Sequence, residues 1–214
     1  MRKGKKKKIK VGLDFDGVVA YNPLRIFRAP LAYFKKNVVG IKKLKFWYPK
    51  QRWQQFFWIV LHESSIFPAK GADLLKKMVK EGSIEAHLVT ARYSFLDTQL
   101  DKWLKKHGLK KYFKTINVNI KDEQPHLFKE RMIKKLKVEY FIEDNWDIVN
   151  YIDKKLKIKT ISKKTKICWI YNILDRGRVY KYKFPYLNEA LRGIIVNAGH
   201  KKFNKSPKRR KLNK

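Results

Sequence analysis

Asp14 and Asp16 stand one residue apart at the end of an apolar run, in "VGLDFDGVVA" from Val11 to Ala20. Lys8 to Val19 is rich in Val, Ile and Phe and reads as a central strand covered on both faces. Side chains two apart on an extended chain point the same way, so both carboxylates are expected to face the crevice beyond the strand. Gly17 would let the backbone turn sharply away. Two acids sharing one site cannot both ionise freely, which lets one attack or bind metal while the other carries a proton. A second apolar run, "VEYFIEDN", delivers Glu143 and Asp144 to the same crevice. Three or four converging carboxylates repel one another unless a hard cation lies between them, and an all-oxygen set with open positions suits Mg²⁺. "HLVTAR" adds Thr90, a hydroxyl able to hold a phosphate oxygen, and Lys129 can supply positive charge.

These residues need a frame that brings strand ends together. After the first strand comes an aromatic and basic stretch, Tyr21 to Phe67. Within it "PLRIFRAPLAYFKKNV" and "PKQRWQQFFWIVLHESS" read as helices, with Pro near each start and apolar residues three or four apart. An amphipathic helix follows over Gly71 to Glu81, closed by Gly82, and then a short strand, "SIEAHLVT", ending at Thr90. The alternation continues with a helix from about Phe95 to His107, a strand over Thr115 to Ile120, a helix after Pro125 and the "VEYFIEDN" strand. A helix near Trp146 to Lys154, the strand "KICWI" and a last helix in "FPYLNEALRGII" complete it. Strand and helix in turn predict right-handed βαβ crossovers and an α/β parallel sheet with helices on both faces. Ligands of such sheets bind beyond the carboxyl ends of the strands.

Charge is the strongest compositional feature: 53 Lys+Arg against 18 Asp+Glu give +35. Residues 1–10 carry seven basic side chains and 201–214 carry eight, neither with an acid. Both read as basic arms around a core spanning 11–200. Such arms suit nucleic acid or another anionic surface through counterion release, although lysine is spread along the whole chain. No apolar run is long enough for a membrane span, and the N-terminus shows no apolar leader, so a cytoplasmic protein is expected. The single cysteine, Cys168, sits in an apolar run and reads as a buried core residue. The five histidines lack zinc-like spacing, and no Walker-type loop supports a kinase.

"DFDGV", "LVTAR", a lysine in the following helix and "FIEDN" resemble, in order and spacing, the four motifs of the haloacid dehalogenase (HAD) superfamily of phosphatases. The resemblance runs over about Lys8 to Leu191. It implies a Rossmann-like core with Asp14 as the nucleophile forming an aspartyl-phosphate. Asp16 would be the general acid and base, its backbone carbonyl a ligand of Mg²⁺. Thr90, Ala91, Arg92 and Lys129 would contact the phosphoryl group, and Asp144 would be the second protein ligand of Mg²⁺. Glu143 is the next candidate ligand and Asp147 a third; Lys121 competes with Lys129 for the third motif.

The stretch from about 21 to 67 stands where that superfamily carries a small helical cap. Its many aromatics, among them Phe27, Trp47, Tyr48, Trp53, Phe56 and Phe57, could stack a nucleobase or simply pack the cap onto the core. Arg25, Arg28 and Arg52 could meet further anionic groups. "WIYNILDR" followed by "FPYLNEAL" resembles more loosely the end of the 5′-deoxyribonucleotidase-like branch. The expected activity is hydrolysis of a small phosphomonoester such as a nucleoside monophosphate. The alternatives are a polynucleotide or RNA-end phosphatase, and a basic nucleic-acid-binding protein on the same scaffold without catalysis.

Overall fold

The computed structural model describes residues 7–23, 46, 48–63, 65–158, 161 and 165–199. Within them the strands are β1 (Ile9–Leu13), β2 (Ala20–Tyr21), β3 (Phe67–Pro68), β4 (Ile84–Tyr93), β5 (Phe113–Asn119), β6 (Tyr140–Glu143), β7 (Lys166–Ile170) and β8 (Lys183–Phe184). The helices are α1 (Arg52–Glu63), α2 (Ala72–Lys80), α3 (Asp97–Lys106), α4 (Pro125–Leu136), α5 (Trp146–Lys157) and α6 (Leu187–Asn197). Six strands form one sheet in the order β5-β4-β1-β6-β7-β8. All its neighbouring pairs are parallel. The chain moves outward from β1 in one direction through β4 and β5, then crosses back to β6 on the other side. β1 therefore borders the switch point, where open α/β sheets place their ligand crevice.

Continuous apolar runs become central strands here because both faces are covered. Along β6, Tyr140 and Ile142 join the core built with α2, α3 and α6, including Leu75, Met78, Leu104 and Leu191. Phe141 points the other way, into the core of α4 and α5 with Phe128, Ile133, Val149 and Ile152. β7 repeats the pattern, with Cys168 and Ile170 on the first face and Ile167 and Trp169 on the second. Each large side chain buried this way contributes about 1.5–3 kcal/mol relative to exposure.

The differences from the sequence reading lie at the element ends. β1 stops at Leu13 instead of running to Val19, because the carbonyl of Phe15 accepts from the N–H groups of Val18, Val19 and Ala20 and closes a tight turn. The basic arm is shorter than 1–10, since Ile9 and Lys10 already pair with β4; residues 1–6 and 201–214 lie outside the described residues. β4 passes Thr90 and ends at Tyr93, with a register shift against β5 between those two residues. β2 and β3 pair antiparallel at the two ends of the expected cap, and β8 adds a sheet edge. These three strands have two residues each, too few for a periodic signal. Of the two helices expected between β2 and β3, the second is α1, whereas the first, from residue 24 to 38 with Arg25, Phe27 and Arg28, and also Trp47 lie outside the described residues.

Cys168 is buried within β7, and burial pushes its thiol up to about 12. The thiolate is the reactive form, so the native chain should resist a thiol-specific alkylating reagent at neutral pH and take up one equivalent only when unfolded. Fast native labelling, followed by mass spectrometry, would contradict this placement. No helix of the described residues is long and apolar enough to cross a membrane.

Candidate active site

Asp14 follows β1 directly and is held there by its own N–H, which donates to the carbonyl of Ile142 on β6 at 3.0 Å. This main-chain bond joins the ends of the two strands that carry the acids. Lys129 comes in from α4, and that helix starts at Pro125 with the rigid geometry favoured at a first turn. Its ammonium lies 2.8 Å from Asp14 Oδ2 and 2.6 Å from Glu143 Oε2, with all three side chains buried. Glu143 also accepts from the N–H of Asn145 at 3.0 Å. Lys121, the competing lysine, is exposed in the turn after β5.

Burial is the main influence on each of these charges, and only at Lys129 do the neighbours reverse it. The Asp14 carboxyl is raised by burial, opposed by Lys129, and pushed further up by Asp144. Glu143 is pushed up to about 8 by burial and by Asp14, against the pull of Lys129. Burial would lower the Lys129 ammonium, but Asp14 and Glu143 outweigh it and hold it above the ordinary lysine value. The pocket thus keeps one cation firmly and has more acid than that cation neutralises.

Oxygens of Asp14, Glu143 and Asp144 lie within 4.8 Å of one another, and all three residues are buried. Three carboxylates against Lys129 leave a formal charge of −2, and the donor atoms are all hard oxygens, so the set fits a divalent hard cation such as Mg²⁺. Asp144 is further fixed through its backbone carbonyl, which accepts from the indole of Trp169 at 3.2 Å. Asp147 is exposed in the first turn of α5, outside this group. Gly17 explains how the loop after β1 comes so close: its φ is +79°, and a Cβ there would stand 2.2 Å from Asp144 Oδ2. Gly17→Ala should therefore displace Asp144 and weaken divalent-cation binding at least tenfold, read as a lost Mg²⁺-dependent rise in melting temperature. An unchanged rise would show that the loop can yield without moving the acid.

Asp16 is not among the grouped oxygens of Asp14, Glu143 and Asp144, but it is near enough to push the Asp14 carboxyl up, and residues 15–19 turn instead of extending the strand. Its carboxylate takes Arg92 Nε on Oδ2 at 2.8 Å and Arg92 Nη2 on Oδ1 at 2.7 Å. Ser65 Oγ donates to Oδ1 at 2.8 Å from the chain just before β3. Among the influences on Asp14, Asp16 comes after burial, Lys129 and Asp144. Thr90 is buried, and its Oγ1 accepts from the N–H of Arg92 at 3.3 Å. Ala91 is half-buried beside it. Sequence reasoning missed Ser65, which carries no motif, and did not foresee the bonds between Arg92 and Asp16.

The segment between β2 and β3 touches the core near this pocket. Gln124 and Phe46 bond reciprocally, the Phe46 N–H donating to Gln124 Oε1 at 2.8 Å and Gln124 Nε2 to the Phe46 carbonyl at 3.2 Å. Tyr48 donates to Asp122 Oδ2 at 3.1 Å and packs edge-on against Tyr93. Phe46 and Tyr48 are thus packing residues, whereas Trp53 and Phe56 on α1 are exposed.

The six-stranded parallel Rossmann-like sheet flanked by helices is the fold of HAD-type proteins of known structure. A candidate β-phosphoglucomutase from Thermotoga maritima superposes with a TM-score of 0.52 at 17% identity, over 88% of this chain and 99% of its own. A candidate haloacid dehalogenase-like hydrolase from Bacteroides fragilis gives 0.51 at 13% identity, over 86% and 99%. CbbY from Rhodobacter sphaeroides, solved in complex with phosphate, gives 0.50 at 10% identity, over 86% and 96%. At these identities the likeness is one of fold. No protein-family model matches the chain, and no curated protein does.

Proposed function

We propose that this chain is a Mg²⁺-dependent phosphomonoester hydrolase working in the cytoplasm through an aspartyl-phosphate at Asp14. The observation that carries the reading is the buried cluster of Asp14, Lys129, Glu143 and Asp144 at the carboxyl ends of β1 and β6. In the first step a carboxylate oxygen of Asp14 forms a bond to phosphorus as the bond to the leaving oxygen breaks, and Asp16 gives that oxygen a proton. In the second, water attacks the phosphoenzyme, Asp16 takes a proton from it, and the Asp14 oxygen departs. Lys129 orients the nucleophile and, with Thr90 and the neighbouring backbone at Ala91, meets the charge on the transferring phosphoryl oxygens. Asp14, Asp144, Glu143 and the backbone carbonyl of Asp16 would hold Mg²⁺, which supplies further positive charge for those oxygens.

The substrate is proposed to be a small phosphomonoester, with nucleoside monophosphates favoured. The exposed Trp53 and Phe56 of α1 offer aromatic faces that a base could stack on. The test is phosphate release from nucleoside monophosphates, sugar phosphates and 5′-phosphorylated oligonucleotides, in Mg²⁺ or in EDTA. Release in Mg²⁺ that stops in EDTA supports the reading, and the preferred ester identifies the class. No release from any ester, alongside tight and salt-sensitive oligonucleotide binding, would replace it with a nucleic-acid-binding protein.

A further inference from the structure

We propose that Arg92 is a positioning residue that acts through Asp16, setting the direction in which Asp16 delivers and removes its proton. The inference rests on the reading of Asp16 as the general acid and base. Arg92 sits on β4 where the pairing with β5 shifts register, and its guanidinium is buried. Two of its N–H groups are committed to the two oxygens of one carboxylate, at 2.8 and 2.7 Å. The guanidinium also lies 4.5 Å from the centre of the Phe15 ring, and Phe15 is the residue between the two aspartates. A planar fork held against a ring and bonded twice fixes both the position and the plane of its partner, which a lysine cannot do. Ser65 adds a bond to Oδ1. The loop carrying Asp16 is a turn, so strand geometry does not aim this side chain, and the Arg92 fork supplies the aim.

This role separates from phosphate binding by its dependence on the leaving group. An acid that protonates the leaving oxygen matters greatly for an alkyl phosphate and little for p-nitrophenyl phosphate, whose phenolate departs without a proton. Arg92→Gln should lower the rate of phosphoenzyme formation from an alkyl phosphate by about 10²-fold or more, the usual scale of general acid catalysis. For p-nitrophenyl phosphate the loss of phosphoenzyme formation, read from the p-nitrophenolate burst, should be only a few-fold, with KM nearly unchanged for both; the later water-activation step, common to both esters, should slow equally. In an Asp16→Asn background the same change should cost nothing further, because the two residues act as one unit. Arg92→Lys, which keeps the charge and loses the fork, should show the same leaving-group pattern and stands in if Arg92→Gln does not fold. A raised KM with kcat preserved would make Arg92 a phosphate ligand, and equal losses of phosphoenzyme formation on both esters, or additive losses in the double variant, would also overturn the assignment. A wild-type protein that hydrolyses neither ester would overturn the hydrolase reading and this inference together, whereas the preceding outcomes overturn this inference alone.

Discussion

Replacing Asp14 with Asn should lower phosphate release by about 10⁴-fold or more while leaving the chain folded. Losses of that order are expected when the attacking group of an interdependent site is removed. An amide oxygen cannot form the aspartyl-phosphate and turn it over, so the loss should fall on kcat and persist on p-nitrophenyl phosphate, the ester least sensitive to Asp16. The fold should survive for a local reason. Burial already disfavours the charge on Asp14, and Asp144 opposes it, so a neutral amide relieves repulsion. Lys129 meanwhile retains Glu143 at 2.6 Å. Single-turnover phosphate release and a urea unfolding midpoint measured on the same sample would separate the two effects. Activity within tenfold of wild type would remove Asp14 from the nucleophile's place.

Replacing Lys129 with Met should have the largest effect on stability. The side chain is of similar length, but the ammonium that joins Asp14 and Glu143 disappears. Truncating one partner of a buried ion pair typically costs about 3–5 kcal/mol, because the remaining charge has lost its compensation. Here two acids lose it at once. The metal-free variant should therefore unfold well below wild type, and Mg²⁺ should recover part of the difference by offering the same oxygens another cation. pH should act in a defined direction. Glu143 has its folded value raised to about 8 from 4.5, so its protonated form favours the folded chain. Its contribution to metal-free stability is full below 4.5 and is lost as pH rises towards about 8. With Lys129 gone that loss should steepen. Thermal melts across this range, with and without Mg²⁺, would test it, and a variant as stable as wild type in EDTA would show that the ammonium is not what keeps the acids buried.

The sheet was readable from sequence because its central strands are covered twice: "VGLDF", "AHLVT", "YFIE" and "KICWI" are apolar without alternation, and such runs have few other places to go. Asp14, Glu143 and Asp144 were readable for the same reason, since each lies at or directly beyond the end of such a run. Lys129 was the better choice over Lys121 because it lies on the helix that leads into β6. What stayed hidden depends on contacts distant in sequence. The Arg92 fork spans 76 positions to Asp16, and Ser65 reaches it across 49. Neither spacing leaves a periodic trace. The turn closed on the Phe15 carbonyl was hidden as well: alternation was assumed to continue to Asp16, whereas a turn and the bonds from Arg92 and Ser65 place that side chain.

Among its described residues, the segment between β2 and β3 holds the core at two separate places. At one end Ser65 bonds to Asp16, while Phe46 and Tyr48 bond to Gln124 and Asp122 in the approach to α4, the helix that carries Lys129. An inserted segment is often treated as interchangeable, a piece that can be exchanged between proteins of one fold to alter what they accept. In this chain such a graft would carry away a donor to Asp16 and an anchor of the lysine-bearing helix, so a recombinant chimera made at β2 and β3 inherits its chemistry only if the incoming segment brings equivalents of both.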